Sequence, residues 1–245
     1  RKLAHVPGDV QDDRDGPQCF AHSADPGRLL ANEAVPHTEI LVFTPGGIEP
    51  NPQLRDHVIG VADRFLAVIG DKNFKGRSRV FDDALGGMAG LYAPDAILVA
   101  CNTLSVLIPQ TPFIAGSAIP VLGIVETGVE MMYERLVNEP HSTAIIFGTE
   151  TTIEAGTHRR LLIEKGIDSA RLVPQACPNL AGEIEADAQS DVVHTAVDLF
   201  VSDALEKTGG TAGPVIAGLY CTHYGYVASQ FDTALRSQGI SRTEV

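Results

Sequence analysis

Two cysteines occupy matching places in this sequence. Each closes an apolar run and is followed by two polar residues able to hydrogen-bond: Ala96-Ile97-Leu98-Val99-Ala100-Cys101-Asn102-Thr103, and Ile216-Ala217-Gly218-Leu219-Tyr220-Cys221-Thr222-His223. Short apolar runs bounded by turn-forming residues read as buried strands, so both thiols are expected at strand ends. In open α/β sheets, ligands bind beyond the carboxyl ends of the strands. A helix starting just after the strand would point free amides at the same place, favouring an anion and drawing a thiol pKa from about 8.5 toward neutrality. A thiolate on one face of a small substrate and a thiol on the other can invert an α-carbon. One removes the proton, the other returns one to the opposite face, and the roles exchange in the reverse direction. Donors around a substrate carboxylate would stabilise the carbanion-like transition state. His223, two residues after Cys221, is expected to assist as a general acid or base.

Taken singly, a cysteine at a strand end is more often a small buried hydrophobe than a catalyst. Cys19 and Cys177 are read that way. Cys101 and Cys221 differ because they fall at equivalent points of an internal repeat. A second pair of segments keeps the same order: Ile40-Leu41-Val42-Phe43 leads through a small-residue turn to Ile48-Glu49, and Ala144-Ile145-Ile146-Phe147 leads similarly to Ile153-Glu154. The two pairs are offset by about 104 and about 120 positions, which favours a duplicated α/β unit with one cleft between the copies.

The elements that must position these residues are legible from the alternation of short apolar runs with longer amphipathic stretches, the pattern of βα units around parallel sheets. Strands are expected over 39–43, 65–69, 96–100, 121–124, 143–147, 171–174 and 215–219. Helices are expected over 53–63, 103–108, 128–136, 152–165, 191–207 and 226–237, with Gly166 and Gly239 as stops. The fold class is α/β: two similar domains, parallel sheets flanked by helices, related by a pseudo-two-fold axis about an interdomain site. Residues 1–37, rich in Gly and Pro, read as an N-terminal extension. Residues 38–124 with 225–245 are expected to form the first domain, and 125–224 the second.

Bulk properties narrow the partners. The chain of 245 residues carries 18 basic against 31 acidic side chains, a net charge of −13. That opposes phosphate backbones and anionic membranes, so neither nucleic acid nor membrane is expected as a partner. No apolar run is long enough to span a bilayer, and the first residues lack the apolar core of a signal peptide. The cytoplasm is the expected location. The four cysteines form no C-x-x-C pair and no metal-ligand spacing, so no metal site is expected.

At these residues the sequence resembles the aspartate/glutamate racemase superfamily, and within it the glutamate racemases. Ala100-Cys101-Asn102-Thr103 resembles that family's first cysteine motif, and Cys221-Thr222-His223-Tyr224 its second. Gly148-Thr149-x-x-Thr152 and Cys177-Pro178-x-Leu180, with Ile184-Glu185 beyond, are similar to two further family segments. The resemblance runs from about Glu39 to Gly239. It implies two α/β domains, a small amino-acid or dicarboxylate substrate between them, no metal or organic cofactor, and Cys101 and Cys221 as the two acid/bases. It also implies a place in peptidoglycan (cell-wall) biosynthesis, and a homodimer is the assembly left open. Thr44, Gly46, Phe74, Gly76, Asn102, Thr103, Thr149, Thr152 and Thr222 would then bind substrate, with Glu154 or Glu185 near the bases.

The sequence also departs from that family. Where the first strand usually ends in F-D-S-G, it reads Phe43-Thr44-Pro45-Gly46, so the Asp that supports one cysteine and a substrate-binding Ser are both replaced. Gly70-Asp71…Phe74-Lys75-Gly76-Arg77-Ser78 only echoes a family turn, with Lys75 for Tyr, and Tyr220 stands where Gly is usual. Three readings follow. One is a racemase of glutamate or a related acidic amino acid. Another is a superfamily relative acting on aspartate, a hydantoin or a small dicarboxylate. The third is a non-catalytic paralogue that only binds an amino acid. Retention of both cysteines favours two-base inversion.

Overall fold

The computed structural model of the protein describes residues 74–92, 94, 96–209 and 213–240, with the strand backbones 40–42 and 243–244; for 74, 75, 77, 91 and 92 the backbone alone is described. The expected strand over 65–69, the helix over 53–63, the 1–37 extension, Cys19, Thr44, Pro45 and Gly46 lie outside the described residues.

Among the described residues, seven strands form two all-parallel sheets. β1 (Ile40–Val42), β2 (Ala96–Leu98) and β3 (Val121–Leu122) make the first, in order β1-β2-β3. β4 (Thr143–Gly148), β5 (Leu172–Ala176), β6 (Val215–Tyr220) and β7 (Thr243–Glu244) make the second, in order β5-β4-β6-β7. Register aligns Ile40 with Ala96 in one sheet, and Ala144 with both Leu172 and Ile216 in the other. Strands of a parallel sheet covered on both faces should be apolar throughout. In β4 all six residues are buried.

The period-2 alternation of the strands separates two cores. Ala144, Ile146, Ile216 and Tyr220 face one, which continues into the first sheet through Ile97, Val99, Leu104 and Cys101. Ile145, Phe147, Val215, Ala217 and Cys221 face the other. The first core thus joins the two sheets, and the second backs the second sheet alone.

The helices, in chain order, are α1 (Phe74–Tyr92), α2 (Asn102–Ser105), α3 (Pro112–Gly116), α4 (Val125–Asn138), α5 (Glu150–Ala155), α6 (Thr157–Glu164), α7 (Leu180–Asp187), α8 (Asp191–Lys207) and α9 (Ala228–Ser237). α8 shows why such a segment folds. Its Val193, Val197, Val201 and Ala204 form a single buried stripe, and Ser190 caps it by accepting from the Val193 amide.

Several expectations need correction. α1 was not expected as a helix, because Gly86, Gly87 and Gly90 weaken its propensity. Packing overrides them: Phe81, Ala84, Leu85 and Met88 line one buried face at helical spacing. Phe74 and Gly76, expected to bind substrate, lie in the first turn of this helix. The single helix over 152–165 is two helices, α5 and α6, broken where Gly156 takes φ 63°. Glycine adopts that left-handed conformation at no steric cost. α7, in a stretch where no helix is expected, follows Asn179, itself at φ 61°. The C-terminal segment, expected to return to the first domain, lies with the second sheet: α9 packs in the second core and β7 pairs with β6.

Candidate active site

Cys101 and Cys221 end up in the same local conformation. Cys101 caps α2 at φ −138° and ψ 121°. Cys221 caps a 3-10 turn, Thr222–Val227, at φ −146° and ψ 131°. Each extended residue is followed by a tight turn, in which the Ser105 amide donates to the Cys101 carbonyl and the Tyr224 amide to the Cys221 carbonyl. Neither sulfur accepts a capping hydrogen bond, yet the amides of Thr103 and Leu104 lower the Cys101 thiol and those of His223 and Tyr224 the Cys221 thiol. Both turns leave the carboxyl ends of β2 and β6, one in each sheet.

The expectation that these amides would draw both thiols toward neutrality is corrected. Burial pushes the Cys101 thiol up, and the amides of Leu104 and Thr103 and the Thr103 hydroxyl offset only part of that. Burial also pushes Cys221 up to about 12, and the charge of an ionised Cys101 adds to the rise against the amides of His223 and Tyr224. The helices that follow are too short to contribute more than their first amides. The electrostatic coupling has a chemical consequence. An ionised Cys101 raises the Cys221 thiol, so one thiolate disfavours a second.

Their surroundings differ. His223 places Nδ1 3.8 Å from the Cys221 sulfur and Nε2 4.0 Å from the Glu185 carboxylate, giving a line from a half-exposed acid through an imidazole to the thiol. Burial lowers the His223 pKa, while the Glu185 charge pulls it back. Of the two carboxylates singled out in the sequence, Glu185 is the one at this imidazole; Glu154 is exposed on α5. Around Cys101 the partners are neutral. Asn102 and Thr103 are buried in α2, and Thr103 Oγ1 lies 2.9 Å from Thr149 Oγ1, itself 3.0 Å from Thr152 Oγ1. This row of hydroxyls runs from the first sheet's turn to that of the second, where Thr149 caps α5 by accepting from the Thr152 amide. Thr222 is exposed, and Gly76 is half-buried in α1.

His158 near this group was not expected, and Tyr220 and Cys177 make contacts that the sequence did not disclose. His158 on α6 is buried, with Nε2 3.2 Å from Asn102 Oδ1. A lone histidine in a helical pattern carries no signal for such a contact. Tyr220, read as a change within the site, faces the first core, where its hydroxyl donates to the Gly128 carbonyl at 3.3 Å. Gly218 makes room for it, since a Cβ there would collide with the Tyr220 ring and Met132. The i, i+2 pairing of Gly218 with Tyr220 on one strand face was a legible signal. Cys177, just after β5, is buried as expected of a small hydrophobe, yet an ionised Cys221 raises its thiol too. Its carbonyl accepts from the Tyr224 hydroxyl at 3.3 Å. Among the described residues no three His, Cys, Asp or Glu side chains cluster as a metal site would require. Nor is any helix among them long and apolar enough to cross a membrane.

Comparison with known proteins points one way. The chain is 29% identical over 135 residues to a glutamate racemase from Chlorobaculum tepidum, covering 54% of this chain and 46% of that protein. It is 30% identical over 92 residues to one from Nitratiruptor, covering 37% and 36%. The chain therefore spans about half the length of the curated relatives it matches. No family model matches it. Among solved structures, glutamate racemase from Campylobacter jejuni superposes with TM-score 0.59 at 19% identity, over 84% of this chain and 79% of that one. A glutamate racemase isoform from Bacillus anthracis gives 0.58 at 21%, over 81% and 74%. The fold is shared.

Proposed function

We propose that this chain, which belongs with the aspartate/glutamate racemase superfamily by sequence and by fold, inverts the α-carbon of an acidic amino acid, glutamate first, through Cys101 and Cys221. The observation that supports this most is the equivalence of the two turns: two sheets, two extended cysteines each heading a tight turn, and in each the amides two and three residues on lowering the thiol. A substrate between them meets one sulfur per face. With Cys101 as thiolate, its sulfur takes the α-proton and the Cys221 thiol delivers its own to the opposite face, leaving the charge on Cys221. The other enantiomer runs the sequence backwards, so no net proton is gained or lost. His223 would serve as the group through which Cys221 exchanges its proton, with Glu185 holding the imidazole. Asn102, Thr103, Thr149 and Thr152 supply neutral donors suited to the substrate carboxylate and the charge that develops beside it. Thr222, Thr44, Gly46, Phe74 and Gly76 would complete the substrate contacts. The reaction needs no cofactor, and its D-amino-acid product would suit cell-wall synthesis.

Deuterium wash-in at the α-carbon, followed across a panel of amino acids in D2O, tests this reading. Glutamate or aspartate should exchange and racemise together. An amino acid that binds without exchange would make the chain a binding protein. Exchange confined to a substrate without a second carboxylate would shift the specificity.

A further inference from the structure

Both cysteine turns touch one buried side chain that the two-base chemistry does not use. His158 on α6 is only 2% exposed. Its Nε2–H donates to Asn102 Oδ1 at 3.2 Å, and Asn102 directly follows Cys101. Its ring lies against Tyr220 with centroids 4.2 Å apart and planes tilted by 52°, and Tyr220 directly precedes Cys221. Tyr220 is itself fixed through its hydroxyl to the Gly128 carbonyl on α4. An imidazole therefore spans the distance between the residue after one base and the residue before the other. Leaving a polar ring this deep without its partner would cost an unmet hydrogen bond, so the contact constrains both turns.

We propose that His158 is a positioning residue that sets the Cys101 turn against the Cys221 turn. This rests on the two-cysteine reading for its catalytic meaning, though not for its geometry. Because Oδ1 of Asn102 is held by the ring, Nδ2 is the end of that carboxamide able to donate toward the substrate. The same bond keeps α2 seated, so that the Thr103 and Leu104 amides stay where they lower the Cys101 thiol. Burial lowers the His158 pKa to about 4, so the ring stays neutral and its donor stays in place at ordinary pH. His158 touches no reacting atom. It acts through Asn102 and Tyr220.

The test compares His158→Phe, which keeps a ring against Tyr220 but loses the donor, with His158→Gln, which returns an N–H near the position of Nε2. One readout is the pH profile of alkylation at Cys101, followed by peptide mass in the full chain. His158→Phe should move its midpoint up by about one unit, a tenfold loss of thiolate at a given pH, as the Thr103 and Leu104 amides shift away from the positions where they lower the thiol. The midpoint at Cys221 should stay within about a third of that shift. The second readout is kinetic: kcat should fall about 10- to 100-fold with KM changed less than about threefold, and His158→Gln should recover most of both losses. An unmoved Cys101 midpoint, or Gln behaving like Phe, would overturn the proposal. If His158→Phe does not fold, nitrogen-15 NMR of the wild-type imidazole decides instead: a neutral ring with its proton on Nε2 supports the assignment, and one with its proton on Nδ1 contradicts it. A wild-type chain that exchanges no α-proton would sink the racemase reading while the alkylation midpoints still judged His158.

Discussion

The turn at Cys101 and the turn at Cys221 share a backbone and differ in what surrounds it. Each cysteine follows a parallel strand in extended conformation and heads a tight turn whose amides two and three residues on lower its thiol. Cys221 adds an imidazole at 3.8 Å backed by a carboxylate. Cys101 adds hydroxyls and a carboxamide; among the described residues, burial and the groups of its own turn are what shift its thiol. Duplication accounts for the common part. The difference teaches that the two bases are not supplied with protons in the same way, so the two directions of the reaction should respond differently to damage.

The largest effect should come from removing either sulfur. Cys101→Ala and Cys221→Ala should each lower racemisation on the order of 10⁴-fold, because no other group replaces a missing acid/base at the correct face. Racemisation assays beside thermal unfolding would separate the chemical loss from the packing lost at each buried thiol. Next in size is the sequence departure at Thr44-Pro45, which falls outside the described residues. Thr44→Asp with Pro45→Ser would give Cys101 a titrating partner of its own, as Cys221 already has. Glutamate turnover should then rise, by up to about 10²-fold. Wild-type turnover that the double substitution leaves unchanged would mean that Cys101 needs no such partner.

His223→Asn should cost about 10²-fold, and unequally. Deprotonation by Cys221 should suffer more than deprotonation by Cys101, read as a change in the ratio of kcat for the two enantiomers. Equal losses in both directions would erase the distinction drawn between the turns. Glu185→Gln should follow the same asymmetry with only a few-fold loss, because its carboxylate is half-exposed and screened.

The smallest effect is on stability. His158 binds its proton near 6.5 when unfolded and at about 4 when folded, so the unfolded chain holds more protons between those values. Stability should therefore fall as pH drops through 6.5, the loss being complete near pH 4 at about 3 kcal/mol. Denaturation midpoints of wild type and His158→Phe over that range should converge as pH falls, since only the wild type carries this penalty.

The parts of this comparison that the sequence disclosed are those written in local pattern. The strand ends, the two cysteines with their polar followers, and the α8 helix were all legible, because a buried parallel strand and an amphipathic helix impose their periods on adjacent residues. α1 was not, because its three glycines argue against a helix until Phe81, Leu85 and Met88 find a core to cover. The break at Gly156 was missed because a single glycine inside a helical pattern reads as tolerated until its φ is seen. His158 escaped for a different reason: its partners are 56 and 62 positions away along the chain, a separation that periodicity does not encode. The thiol pKa values went the wrong way because burial, a property of the whole fold, outweighs the amides that the local sequence predicts.

The two-base account is tested most directly by which enantiomer each single-cysteine variant still exchanges. Cys101→Ala and Cys221→Ala would be incubated separately with D- and L-glutamate in D2O, and deuterium at the α-carbon followed by mass spectrometry. Each variant retains one sulfur on one face, so each should label one enantiomer without inverting it, and the two variants should label opposite enantiomers. Labelling of the same enantiomer by both, or full racemisation by either, would contradict the assignment of one cysteine to each face.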